Sequence, residues 1–293
     1  MSSLTLDTLF SPPTHLPVIP RVVQELIHGL GRDDTVIDTV AERLAADPVL
    51  GAKTLRLANS AYFNVPRTID AIGDAVQLLG FDMVRSLALG CSLGAAFRVV
   101  PGVDLPAFWR HSLRTACMAR WLADRSGQPG ETAFTLGLVH GLGHLLMHAT
   151  QAQAIASLDA DVPLLAPERA RHERALLGWH HGDVGAELAR RWNFPAAIST
   201  ALAPLAEAAE PAAAAPSPLV ALVAVSAWRA RCDHFDWDAT ERTGRCPLAA
   251  AQAAGLPLVW LDETATLGVR QGADTTPLPA PDTLSAGLAT MFD

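Results

Sequence analysis

The sequence predicts an all-α fold of two packed helical lobes. Three observations carry this reading. Apolar residues recur at helical spacing through most of the chain, Pro and Gly fall at the ends of the periodic segments, and strand signals are almost absent.

The elements follow in chain order. From about Leu16 to Phe97 the pattern is a string of short helices. Val36, Ile37, Val40 and Leu44 share one helical face, and Asp47-Pro48 stops that helix and starts the next, Asp47 as cap and Pro48 at the first helical position, where its missing N–H costs nothing. That next helix runs to about Ala58, and Asn59 and Ser60 follow as residue types that satisfy loose backbone groups at a helix end. Ile69, Ile72, Val76 and Leu79 give an amphipathic stripe closed by Gly80, and Val84, Ala88, Cys91 and Ala95 give another. A second section opens after Pro101-Gly102. Phe108, Thr115, Met118 and Leu122 form one face, Phe134, Leu138, Leu142 and Leu145 a second, and His181, Gly185, Leu188 and Trp192 a third. Phe194-Pro195 then ends one helix and begins one carrying Ile198, Leu202 and Leu205. Residues Ala206–Pro218, rich in Ala and Pro, read as a linker or frayed helix end. An apolar helix at Leu219–Ala230 follows, and beyond Cys246 the signals weaken.

Composition narrows the function classes. The chain has 293 residues, half of them hydrophobic and 18% charged, enough to bury a sizeable core. No apolar run reaches the roughly 18 to 20 residues of a membrane-spanning helix, and Met1–Ser11 lacks the basic and apolar regions of a secretory signal. A formal charge of −8 argues against a nucleic-acid backbone as partner. Cys91, Cys117, Cys232 and Cys246 show no C-x-x-C spacing and read as reduced packing residues. A soluble, cytoplasmic protein is expected.

Histidines concentrate in the second section. His140, His144 and His148 are spaced i, i+4 and i+8, so one continuous helix would stack them along one side. An H-x-x-x-H pair is a metal-gripping spacing, but the zinc proteases that use it need a Glu after the first His, and here that residue is Gly141. The alternative is a set of histidines lining a helix seam. His111 falls on the apolar side of its helix, as a hydrogen-bonded core residue or as part of a metal site. No nucleophile elbow, phosphate loop or dinucleotide fingerprint is present.

Two stretches together resemble the HDOD (HD-related output) domain. The first is Leu55-Arg56-Leu57-Ala58-Asn59-Ser60-Ala61-Tyr62-Phe63, continued by Ile69, Ile72, Ala75-Val76 and Leu79-Gly80. The second is His111 with Thr135-Leu136-Gly137-Leu138-Val139-His140-Gly141-Leu142-Gly143-His144-Leu145. A third, Gly178-Trp179-His180-His181-Gly182-Asp183-Val184-Gly185 ahead of Trp192 and Pro195, is weaker. The resemblance implies an N-terminal helical lobe packed on an HD-like helical bundle. It covers residues 16–210, divided into a lobe at 16–100 and a degenerate HD-like lobe at 101–210, with a short extension at 1–15 and a helical and irregular one at 211–293.

HD-superfamily phosphohydrolases hold metals through a His, a His-Asp doublet and a distal Asp. His111 and His140 match the first two positions, and Gly141 stands where the doublet's Asp belongs, offering no donor atom. The His pair that HDOD domains often carry after the Trp-x-x-Pro helix is also missing from Ala201–Ala209. The resemblance therefore implies a non-catalytic signalling output module that contacts other signalling proteins, with no catalytic residues, no cofactor and no bound metal. Asn59, Ser60, Gly80 and Gly141 are its signature residues. Two alternatives stay open. One is a divergent metal-dependent phosphohydrolase using His111, His140, His144 and His181, and the other is a sensor that binds a nucleotide or cyclic dinucleotide uncleaved.

Overall fold

A computed structural model describes residues 5–10, 24, 42, 44–59, 67–256, 281–285 and 288. The face carried by Val36, Ile37 and Val40 and the signature residue Ser60 lie outside these. Helices are the only regular elements among the described residues. α1 is Leu6–Leu9. α2, Pro48–Ala58, starts where the sequence predicts, because the Asp47 carboxylate accepts from the backbone N–H groups of Val49 (3.0 Å) and Leu50 (3.1 Å), two donors that have no partner inside the helix. After α2 the Asn59 side chain ties the helix end to Ile69, ten residues further on. Its Nδ2 donates to the carbonyls of Leu55 (2.9 Å) and Ile69 (2.7 Å), and its Oδ1 accepts from Ile69 N–H (2.8 Å). This gives the signature Asn a structural task.

α3, Ile72–Leu79, and α4, Phe81–Ala96, meet at Gly80, whose φ of 77° is costly for any residue with a Cβ. α5, Leu105–Ser126, opens the second lobe under an Asp104 cap and packs along α6, Gly130–Val139. α7 is Leu142–Asp161, α8 Arg169–Leu177 and α9 His181–Arg191. Two short helices, α10 (Ala196–Ser199) and α11 (Leu202–Glu207), replace the single helix expected after Pro195.

α12, Pro218–His234, lies against α5 and α6, and α13 (Ala239–Gly244), α14 (Leu248–Ala253) and α15 (Pro281–Ser285) complete the set. One continuous core runs from Leu50 and Val76 through Phe108, Phe134 and Leu146 to Val223, so the N-terminal helices pack on the larger HD-like bundle as expected. None of the four cysteines forms a disulfide, and all four are buried. No single helix among the described residues is long and apolar enough to cross a membrane.

One local expectation fails. The periodicity of Phe134, Leu138, Leu142 and Leu145 continues across a break, since α6 ends at Val139 and α7 begins at Leu142. His140 caps the first helix. Gly141, at φ −94° and ψ 1°, accepts from His144 N–H (3.0 Å) and starts the second. His140 thus leaves the row, and only His144 and His148 share a helix.

Candidate functional site: a closed histidine centre

The helix break decides where the histidines go. Gly143 sits in the first turn of α7 against the start of α9, so close that an added Cβ would lie 1.8 Å from the carbonyl oxygen of His181. This contact lays the His144 ring on that of His181, with centroids 3.7 Å apart and planes at 22°. α9 starts at His181 because His180 and Asp183 form a reciprocal cap: His180 N–H donates to Asp183 Oδ2 (2.9 Å), and His180 Nδ1 accepts from Asp183 N–H (3.3 Å).

The N–H of His181 then points at a residue that the sequence reading missed. Glu173 of α8 is 0% exposed. Its Oε2 accepts from His181 N–H and from His181 Nδ1, both at 2.7 Å. Its Oε1 accepts from Arg169 Nε (2.9 Å) and lies 3.4 Å from His144 Nδ1. Arg169, equally buried, also reaches Asp159 (2.6 Å) and the carbonyl of Val162 (2.6 Å). Asp159 in turn meets His148 Nε2 (3.1 Å). Burial alone would raise the Glu173 carboxyl. The His181 and His144 rings beside it reverse this and hold it well below the usual carboxylate range.

His111 and His140 sit apart from that network. Their rings pack edge-on at 5.3 Å, and the ring of His234 of α12 also meets His111 edge-on, at 6.2 Å. Both ring nitrogens of His111 are buried without a hydrogen-bond partner. The Nδ1 of His140 donates to the carbonyl of Gly137 (2.6 Å), because a carbonyl can only accept. His140, His181 and Arg231 of α12 line one small cavity. The structure therefore brings the predicted His111 and His140 together and pairs the predicted His144 with His181, while Asn59 and Gly80 lie in the other lobe.

Burial lowers His111 and His144 well below the ordinary imidazole range, and burial together with Arg231 takes His140 to about 3. An unfolded chain titrates its imidazoles near pH 6.5. The folded values lie below this, so the unfolded state binds more protons once the pH drops below about 6.5, and stability falls with it. The melting temperature should hold above about pH 7 and decline steadily from about pH 6.5 towards 4. A flat profile across that range would contradict neutral buried imidazoles.

Among the described residues two arrangements invite a metal, and neither fits one. At the HD position the missing carboxylate has also lost its space: a Cβ on Gly141 would lie 2.8 and 2.9 Å from Cε2 and Cζ of the buried Phe108 ring. Arg231 lines the cavity beside His140, so a cation of the protein already stands at the site where a metal cation would bind. The second arrangement is His144, Glu173 and His181, whose donor atoms lie within 4.8 Å of one another. Here the carboxylate is taken up by three N–H donors, and nearly parallel stacked rings run their in-plane lone pairs side by side rather than towards one tetrahedral or octahedral centre.

Known proteins place the whole. The crystal structure of a Shewanella amazonensis SB2B protein, provisionally named a phosphohydrolase, superposes with a TM-score of 0.70 at 26% identity, covering 97% of this chain and 98% of that one. An HDOD domain protein of unknown function from Geobacter sulfurreducens gives 0.68 at 25% identity, covering 85% and 88%. A curated relative from Treponema pallidum (strain Nichols), described only as uncharacterized, is 26% identical over 189 residues. These are 61% of this chain but 35% of that protein, so the chain accounts for about a third of the relative's length. The sequence profile of the HDOD domain matches residues 16–207, which hold the Asn59 clamp, Gly80 and every histidine of the centre except His234. The chain belongs to the HDOD domain family.

Proposed function

We propose that the protein is a non-catalytic signalling output module, working in the cytoplasm through contacts with other signalling proteins. The observation that carries this reading is the closure of the HD centre: the Phe108 ring fills the space beside Gly141, and Arg231 brings a positive charge to the cavity shared by His140 and His181. Metal-assisted hydrolysis needs a divalent cation with compensating carboxylate charge and an open coordination position. These residues supply a fixed cation and a filled space instead.

In this reading residues 16–210 are the HDOD-type unit, with lobes at 16–100 and 101–210. Residues 211–293 are an extension whose helix α12 delivers Arg231 to the centre. Purified full-length protein, assayed with phosphomonoesters, nucleotides and cyclic dinucleotides in the presence of Mn, Fe, Mg or Zn, should show no turnover above buffer. Hydrolysis that disappears in His140→Ala or His144→Ala would instead establish the divergent phosphohydrolase, with its site among His111, His140, His144 and His181.

A further inference from the structure

Among the described residues, no carboxylate lies in ion-pair contact with the buried guanidinium of Arg231. The residue is 7% exposed. Its Nε donates to the carbonyl of Leu165 (2.7 Å), while its Nη1 is buried without a hydrogen-bond partner. Glu168 is the carboxylate that acts on it electrostatically, and that side chain pairs with Arg245 at 3.9 Å. Burial lowers the Arg231 guanidinium only to about 10, so it stays charged at neutral pH. An uncompensated buried charge of this kind is strongly unfavourable unless something pairs with it.

The space beside this group is built by small side chains. Ala206 of α11 and Ala224 and Ala227 of α12 wall a cavity whose polar edge is His140, His181 and Arg231. The cavity is small, about 10 Å³, room for a single water or a monatomic ion. The histidines do not supply the missing charge. His140 is neutral and committed through Nδ1 to Gly137. His181 turns its Nδ1 to Glu173, on whose carboxylate Arg169 also closes.

We propose that this cavity is a binding site for one small monovalent anion, of chloride size, held against Nη1 of Arg231. A water could accept the Nη1 hydrogen but would leave the charge uncompensated, a cation would be repelled, and sulfate or phosphate is too large for the space. The site inverts the sign of an HD centre, holding an anion on a protein cation where the phosphohydrolases hold cations on protein anions. The inference rests on Arg231 and its cavity and stands whether or not the module has a signalling partner.

Thermal unfolding of the full-length protein tests it, with chloride titrated against gluconate at constant ionic strength. Mass action on the native state predicts a saturable rise in Tm of about 2 to 5 °C, matched by bromide, not reproduced by sulfate, and absent in Arg231→Gln. No dependence on chloride, or an equal rise in wild type and Arg231→Gln, would overturn the proposal. Bromide soaked into wild-type crystals gives a second readout that needs no variant. An anomalous peak against Nη1 of Arg231 supports the site, and a cavity without one, or filled by water alone, rejects it.

Discussion

Gly143→Ala is expected to prevent stable folding of the HD-like lobe. The new methyl group would sit 1.8 Å from the carbonyl oxygen of His181, and 2.7 and 2.9 Å from backbone atoms of His181 and Gly185. Backbone cannot rotate away as a side chain can, so α7 and α9 must separate. Their separation would unstack His144 from His181 and draw the His181 N–H off Glu173. Overpacking typically costs about 1–3 kcal/mol and occasionally more. A backbone clash that also disrupts a buried polar network belongs at or above the upper end, a large share of the roughly 5–15 kcal/mol that holds a domain together. Chemical denaturation should show a collapsed or absent cooperative transition. A variant within about 0.5 kcal/mol of wild type would mean that the two helices do not touch as described.

Glu173→Gln is expected to have the next largest effect. The amide keeps the shape but turns an NH₂ group towards donors and gives up the charge that balances Arg169. Removing one partner of a buried ion pair typically costs about 3–5 kcal/mol. The lower end applies here, because Asp159 still accepts from Arg169 at 2.6 Å. Urea unfolding measures the loss at neutral pH. The same carboxyl adds to the acid sensitivity of the wild type. Its folded value lies below the unfolded one, so its contribution is complete above about pH 4.5 and drains away as the pH falls towards the folded value. Glu173→Gln should therefore flatten the most acidic part of the stability profile and leave the imidazole-driven part near pH 6 in place.

What could be read from the sequence was local. Asp47-Pro48 marked the start of α2 to the residue, and Gly80 marked the turn between α3 and α4, because caps and positive φ are written in single residue types. The break at His140–Gly141 was hidden, since Phe134, Leu138, Leu142 and Leu145 keep their spacing across it and periodicity does not register a change in helix direction. Glu173 was hidden for a different reason. Arg169 and Glu173 at i and i+4 have the look of a solvated surface pair, and only tertiary packing takes both to 0% exposure. Its one sequence signal was a lone acid seven residues before the His180-His181 doublet. Arg231 was masked by position, since a cation in the last turn of a helix ordinarily faces solvent and complements the helix dipole. The family stretches located the lobe and His111 and His140, but not the groups that close the centre.

Metal content tests the central claim most directly. Full-length protein expressed in medium supplemented with Mn, Fe and Zn, and purified without chelator, should contain far less than one equivalent of any of them. Gly141→Asp should gain none, because Phe108 occupies the space the carboxylate needs and Arg231 remains beside His140. About one equivalent of bound metal per wild-type chain, lost on His140→Ala or His144→Ala, would contradict the account and make the centre a working metal site.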